Sequence, residues 1–146
     1  MTVADILSKL SQQVISCRPE DTIETIATIL SAKRIGAMPV RDLEGAMIGI
    51  VSERDIVDAF AERGSEVGAL RVRDIMTEEV ISCGPEDTIA HASQLLHKHR
   101  FRHLPVLENG RIVGVLSIRD LLESRLEQTE LEVNVLKDSV IAARFG

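Results

Sequence analysis

The sequence predicts an α+β protein of two tandem β-α-β-β-α units, α/β-type repeats packed with pseudo-twofold symmetry, plus a C-terminal helical extension. Three observations predict it. The chain contains a residue-for-residue internal repeat. The hydrophobic period changes from strand to helix at the same places in each copy. A helical apolar spacing then runs without Gly or Pro toward the end.

The repeat is explicit. Val14-Ile15-Ser16-Cys17-Arg18-Pro19-Glu20-Asp21-Thr22-Ile23 lies over Val80-Ile81-Ser82-Cys83-Gly84-Pro85-Glu86-Asp87-Thr88-Ile89, and only the fifth position differs. Further on, Leu30 meets Leu96, Arg34 meets Arg100, and Pro39-Val40 meets Pro105-Val106. After a slip in a turn, Ser52-Glu53-Arg54-Asp55 meets Ser117-Ile118-Arg119-Asp120. A weaker echo precedes each copy, Val3-Ala4-Asp5-Ile6-Leu7 against Val72-Arg73-Asp74-Ile75-Met76.

Each element follows in order. Val14 to Cys17 is a short apolar strand that Pro19 ends. Asp21 is placed to cap a helix with Glu24 as its capping-box partner; in the second copy Asp87 caps and Ala90 replaces the Glu. Ile23, Ile26, Ala27 and Leu30 give that helix one apolar face, as do Ile89, Ala92, Leu95 and Leu96 in the second copy. Strands follow over Ala37 to Arg41 and His103 to Glu108. The hairpin turns contain Gly45 and Asn109-Gly110, the latter a pair that accepts positive φ. Strands Met47 to Val51 and Ile112 to Leu116 lead to helices opening at Ser52 and Ser117.

Units of about 60 residues bury too little surface to stand alone, so two copies are expected to share a core. The expected boundaries are residues 1–62 for the first repeat, 63–71 for the linker, 72–122 for the second repeat and 123–146 for the C-terminal helix. Glu62 to Gly68 is polar and glycine-containing, which predicts a flexible link. Leu122, Leu126, Thr129, Val133, Leu136, Val140 and Ala143 alternate spacings of four and three, a coiled-coil seam with a polar position at Thr129. Self-association through this seam competes with a helix folded back on its own domain.

Composition narrows the function. Net charge is −6 and aromatics are 2% of 146 residues, which disfavours nucleic-acid binding by phosphate grip or base stacking. No apolar run reaches the roughly 20 residues that span a membrane. The start lacks the basic and apolar regions of a signal peptide, so a cytoplasmic location is expected. Cys17 and Cys83 do not suggest a disulfide framework. His97, His99 and His103 lack helical metal-ligand spacing, so no metal site is expected. No glycine-rich dinucleotide fingerprint, phosphate loop or nucleophile elbow is present, so neither catalytic residues nor a catalytic cofactor is expected.

The sharpest local feature is Ser-x-x-Asp at Ser52/Asp55 and Ser117/Asp120. Helix capping explains it. The same junction can also offer backbone N–H groups to a phosphate and a carboxylate to ribose hydroxyls.

Taken together, these motifs resemble the CBS-domain pair, or Bateman module. They are Pro19-Glu20-Asp21-Thr22 and Pro85-Glu86-Asp87-Thr88, Met38-Pro39-Val40 and Leu104-Pro105-Val106, and Gly49 to Asp55 with Gly114 to Asp120. The resemblance covers Thr2 to about Leu122. It implies a regulatory module that binds AMP, ADP, ATP or a related adenosine compound between the repeats, NAD-type dinucleotides included. It assigns Asp55 and Asp120 to ribose, with Ser52 and Ser117 beside them. It places Ile15, Ser16, Cys17, Ile81, Ser82 and Cys83 against the base, with Met38, Pro39, Leu104 and Pro105 lining the base pocket. It also implies pairing into a homodimer and signalling to a separate partner protein.

The copies differ before the second strand: Arg102-His103 stands where the first copy has Gly36-Ala37. Arg102 and His103 are therefore expected to face a phosphate, and Asp120→Ala to weaken binding more than Asp55→Ala. Arg54 and Arg119 are expected either to touch phosphate or to pair with an acid across the repeats. A ligand-free scaffold is the alternative function, and an enzyme the remote one.

Overall fold

A computed structural model describes residues 1–10 and 14–145, with the side chains of the last helix described as far as residue 138. The helices are α1 (Val3–Lys9), α2 (Ile23–Lys33), α3 (Glu53–Arg63), α4 (Val72–Ile75), α5 (Ile89–His99) and α6 (Ile118–Phe145). The strands are β1 (Ala37–Arg41), β2 (Met47–Ser52), β3 (His103–Glu108) and β4 (Arg111–Ser117). Each repeat is thus an antiparallel hairpin, β1–β2 or β3–β4, flanked by helices.

The expected first strands shrink to single parallel bridges, Cys17 with Val40 and Cys83 with Val106. Pro19 and Pro85 sit two residues on and remove the donors a longer ladder needs. The helix caps also move by one residue. Thr22 and Thr88 cap α2 and α5, their hydroxyls accepting from the Thr25 and His91 amides. Asp21 and Asp87 instead close the preceding turns, accepting from the Arg18 amide at 2.9 Å and the Gly84 amide at 2.7 Å. In the second hairpin Asn109 and Gly110 take φ of 54° and 77°, as the turn chemistry requires.

Two apolar cores result, and the chain interleaves them. The first holds Ile23, Ile26, Leu30, Met38, Val40 and Val51 together with Val67 and Val72. The second holds Ile89, Ala92, Leu96, Leu104, Val106 and Leu116 together with Val3 and Ile6 of α1. Each short helix precedes one repeat in sequence and packs on the other. The Val3 amide donates to the Asp87 carbonyl at 2.9 Å, and the Val72 amide donates to the Asp21 carbonyl at 2.8 Å. Boundaries drawn between the repeats therefore cut through both cores.

The expected flexible link is a 3₁₀ segment, Gly64–Ala69, whose Val67 is only 5% exposed. Val67 anchors the stretch in the first core, and Leu70 holds its end, donating to the Val67 carbonyl at 3.0 Å and accepting from the Ile23 amide at 2.9 Å.

Helix α6 leaves the body. Leu121 and Ser124 are buried, while every residue from Arg125 to Asp138 is exposed. Through residue 138 the helix does not fold back on its own domain. Val140 and Ala143 of the expected seam lie outside the described side chains.

Candidate functional site

A cleft of about 490 Å³ opens between the repeats. One wall is the junction of β2 and α3, with Ser52, Glu53, Arg54 and Asp55. The opposite wall is the turn from α5 into β3, with Arg100, Phe101, Arg102 and His103. Its floor comes from Ile50, Pro105 and the segment Thr77 to Ile81.

Local chemistry fixes the first wall. The Ser52 amide donates to Asp55 Oδ2 at 2.9 Å, and the Asp55 amide donates to Ser52 Oγ at 3.2 Å, a reciprocal capping box. Thr77 Oγ1 donates to Asp55 Oδ1 at 3.3 Å. Ser52 Oγ also donates to Oδ2 at 3.1 Å, so of the about four lone-pair directions of the carboxylate one stays open, on Oδ1, for a ligand hydroxyl. The long Thr77 bond is the one such a hydroxyl would displace. Thr77 reaches this place through an antiparallel bridge to Ile50.

The junction offers less free backbone than its sequence suggests. The Glu53 amide already donates to the Gly36 carbonyl at 2.9 Å, and Asp55 N is held by Ser52. The equivalent Ile118 amide donates to the Arg102 carbonyl at 3.0 Å. A phosphate therefore gains little from these helix ends, and the arginines opposite are the better partners.

His103 stands at the centre of the cleft. It is half-buried, and an ideal Cβ on Gly36 would lie 2.7 Å from its Nε2 and 2.9 Å from its Cε1. Gly36 therefore makes room for the imidazole. Burial pushes the His103 pKa down, Glu53 and Asp120 push it up, and Arg102 adds to the lowering. The ring thus senses the Ser-x-x-Asp carboxylate of its own repeat while lining the cleft of the other.

The structure brings together Ser52, Arg54, Asp55, Ile81, Arg102, His103 and Pro105. Asp120, Ser117 and Arg119 do not line this cleft, whereas Arg102 and His103 of the second repeat share it with Asp55 of the first.

Other expected residues fall elsewhere. Met38 and Leu104 are fully buried in their own cores, on the same strand face as Val40 and Val106 two residues on. Cys17 and Cys83 are also core residues, each 5% exposed. Burial pushes their thiols up to about 12 and about 11, with Asp21 and Asp87 adding to the shift. Pro39 is buried, Ile15 packs against the first core, and Ser16 and Ser82 are half-buried away from the cleft wall. Among the described residues neither Arg54 nor Arg119 pairs with an acid across the repeats. Each reaches one turn along its own helix, to Asp58 at 3.3 Å and Glu123 at 3.1 Å.

Sequence reasoning missed Gly36, Thr77, Glu79 and Arg100. Gly36 and Arg100 were visible as repeat positions. Thr77 and Glu79 lie in the connection to the second repeat, where no motif marks them. Among the described residues no group of three His, Cys, Asp or Glu side chains gathers as a metal site. Among them, too, no helix is long and apolar enough to cross a membrane.

This architecture, two hairpin-and-helix repeats with a composite cleft between them, defines a tandem-repeat module. The CBS domain family model matches residues 3–62 and again 72–127, so the chain belongs to the CBS domain family as a tandem pair. It is similar to the CBS-domain containing protein ATU1752 from Agrobacterium tumefaciens, with 36% identity and a TM-score of 0.82, covering 86% of this chain and 99% of that one. The CBS domain pair of protein MJ0100, solved with 5′-methylthioadenosine and S-adenosyl-L-methionine, is 27% identical, with a TM-score of 0.77, covering 89% of this chain and 98% of that one. CBS domain-containing protein YhcV of Bacillus subtilis is 27% identical over 85% of this chain and 87% of its own. An inosine-5′-monophosphate dehydrogenase of Korarchaeum cryptofilum is 34% identical, but the match takes in only 23% of that enzyme.

Proposed function

We propose that this chain is a regulatory sensor that holds an adenosine compound in the cleft between its repeats and signals its presence to a separate protein. The observation that carries this is the division of labour across the cleft. Asp55 offers a carboxylate suited to vicinal ribose hydroxyls on one wall, and Arg100, Arg102 and His103 offer cations and a proton acceptor on the other. Ile50, Ile81 and Pro105 give the apolar surface a purine base needs.

Charge favours small ligands over a triphosphate. Three acids, Glu53, Asp55 and Glu79, share the cleft with three arginines, Arg54, Arg100 and Arg102. AMP, 5′-methylthioadenosine and S-adenosyl-methionine fit this balance better than ATP, and NAD would have to extend beyond the cleft. The ligands of the MJ0100 pair belong to the same class. On this reading the module works in the cytoplasm as a homodimer without catalysis, and the two hydroxyls that donate to Asp55, Ser52 at 3.1 Å and Thr77 at 3.3 Å, serve as helix cap and cleft support.

The test is a thermal-melt panel with AMP, ATP, NAD, 5′-methylthioadenosine and S-adenosyl-methionine, with GMP and CMP as controls. A ligand at a hundred times its dissociation constant stabilises the fold by about 2.7 kcal/mol, which raises the midpoint by several degrees. A shift with an adenosine compound and none with GMP or CMP is expected. No shift with any adenosine compound would overturn the proposal.

A further inference from the structure

We infer that α6 joins a second copy of itself in a parallel, two-stranded coiled coil, and that this contact makes the homodimer read under the proposed function. The family match ends at residue 127, yet α6 continues to Phe145. At 1.5 Å per residue the extra helix is about 27 Å long. Helices of this length draw most of their stability from packing an apolar face, and residues 125–138 are all exposed, tied to the body by the surface ion pair of Lys9 and Glu127 at 3.3 Å.

That face is ordered as a heptad seam. Leu126 and Val133 occupy a positions, and Leu122, Thr129 and Leu136 occupy d positions. Leu122, Leu126, Val133 and Leu136 are 62%, 60%, 43% and 65% exposed. A β-branched residue at a with leucine at d favours two parallel strands, and the sequence places Val140 at the next a position.

The flanking charges select the orientation. In a parallel pair, g positions face the e positions five residues on in the partner helix. Arg125 then meets Glu130 and Glu132 meets Lys137, both attractive. An antiparallel pair overlapped along the whole helix sets Glu130 against Glu130 and Glu132 against Glu132, both repulsive. Thr129, polar at a core position, sets the register at a cost in affinity. Leu131 and Val135 lie off the seam and are exposed.

The experiment is sedimentation equilibrium of the full chain, its Leu126→Glu/Leu136→Glu variant and its Thr129→Val variant. The parent is expected to be a dimer and the double variant a monomer with an unchanged melting profile for the folded body. Thr129→Val is expected to tighten the dimer about tenfold, because it buries a methyl in place of a hydroxyl on each helix. Mild oxidation of Leu136→Cys alone should cross-link the dimer, since parallel helices bring position 136 to itself. Cross-linking only when Leu136→Cys is mixed with Leu126→Cys would show an antiparallel pair and overturn the inference. A dimer that survives Leu126→Glu/Leu136→Glu leaves the homodimer standing on another face, such as the exposed Val57 and Phe60 of α3, and sinks the coiled coil. A monomeric parent sinks both, and the melt panel with nucleotides is independent of either result.

Discussion

Gly36→Ala is the substitution that most directly probes how His103 is seated. The new Cβ would meet Nε2 at 2.7 Å and Cε1 at 2.9 Å, against an ordinary carbon contact of about 3.5–4.0 Å. The ring starts β3 opposite Ser117 in the hairpin register, so its backbone cannot retreat. Relief must come from side-chain rotation or local shifts, and overpacking of this kind costs about 1–3 kcal/mol. For a chain of this size that lowers the melting midpoint by roughly 2–12 °C. Gly36 is not among the glycines at positive φ, so alanine's own backbone fits there. With the ring removed, the same change should stabilise by about 0.4–1 kcal/mol through the unfolded state. The assay is a double-mutant cycle by urea denaturation on the parent, Gly36→Ala, His103→Ala and the pair. The expected result is a change of sign: Gly36→Ala destabilises the parent and stabilises the His103→Ala protein. Equal effects in both backgrounds would refute the contact.

Two further outcomes follow from the same structure. Burial depresses the His103 pKa, so its contribution to stability is complete above the unfolded value of about 6.5 and is lost as pH falls through the lower folded value. Stability should therefore decline on acidification below about pH 6.5, and His103→Gln should flatten that part of a pH series of urea midpoints; a curve unchanged by the substitution would contradict the seating of the ring. Val67→Ala should cost about 1–2.5 kcal/mol by urea denaturation because Val67 fills the first core, whereas a loss under about 0.5 kcal/mol would restore the flexible link.

The repeat made much of this legible. Two aligned copies fixed the hairpins, because the proline, the turn glycine and the alternating apolar residues recur in both. The same alignment marked Ser52 and Asp55 and the basic pair at Arg102 and His103. It could not reveal that these sets meet across the repeats, because a duplicated sequence is equally consistent with either pairing. The packing of α1 on the second core was hidden for the same reason: Val3 and Ile6 show an apolar helix face but not its partner. Met38 and Leu104 were read as pocket residues from their motif, whereas the pleat of their strands turns them into the cores. Thr77 and Glu79 join the cleft through one bridge in a connection, and no periodic signal marks such a contact. The capping shift from Asp21 to Thr22 arises because two adjacent oxygens compete for neighbouring amides, and the turn claimed the aspartate.

In the proposed function one composite cleft, lined by Asp55 and by Arg102 and His103, holds the ligand. Calorimetric titration with AMP, and with 5′-methylthioadenosine, of the parent, Asp55→Asn and Asp120→Asn tests it most directly. Hydrogen bonds to a charged acceptor are worth about 1.5–3 kcal/mol, so Asp55→Asn should weaken binding by roughly 10- to 150-fold. Asp120→Asn, outside the cleft, should change it less than about threefold. Binding weakened by Asp120→Asn and untouched by Asp55→Asn would contradict the account.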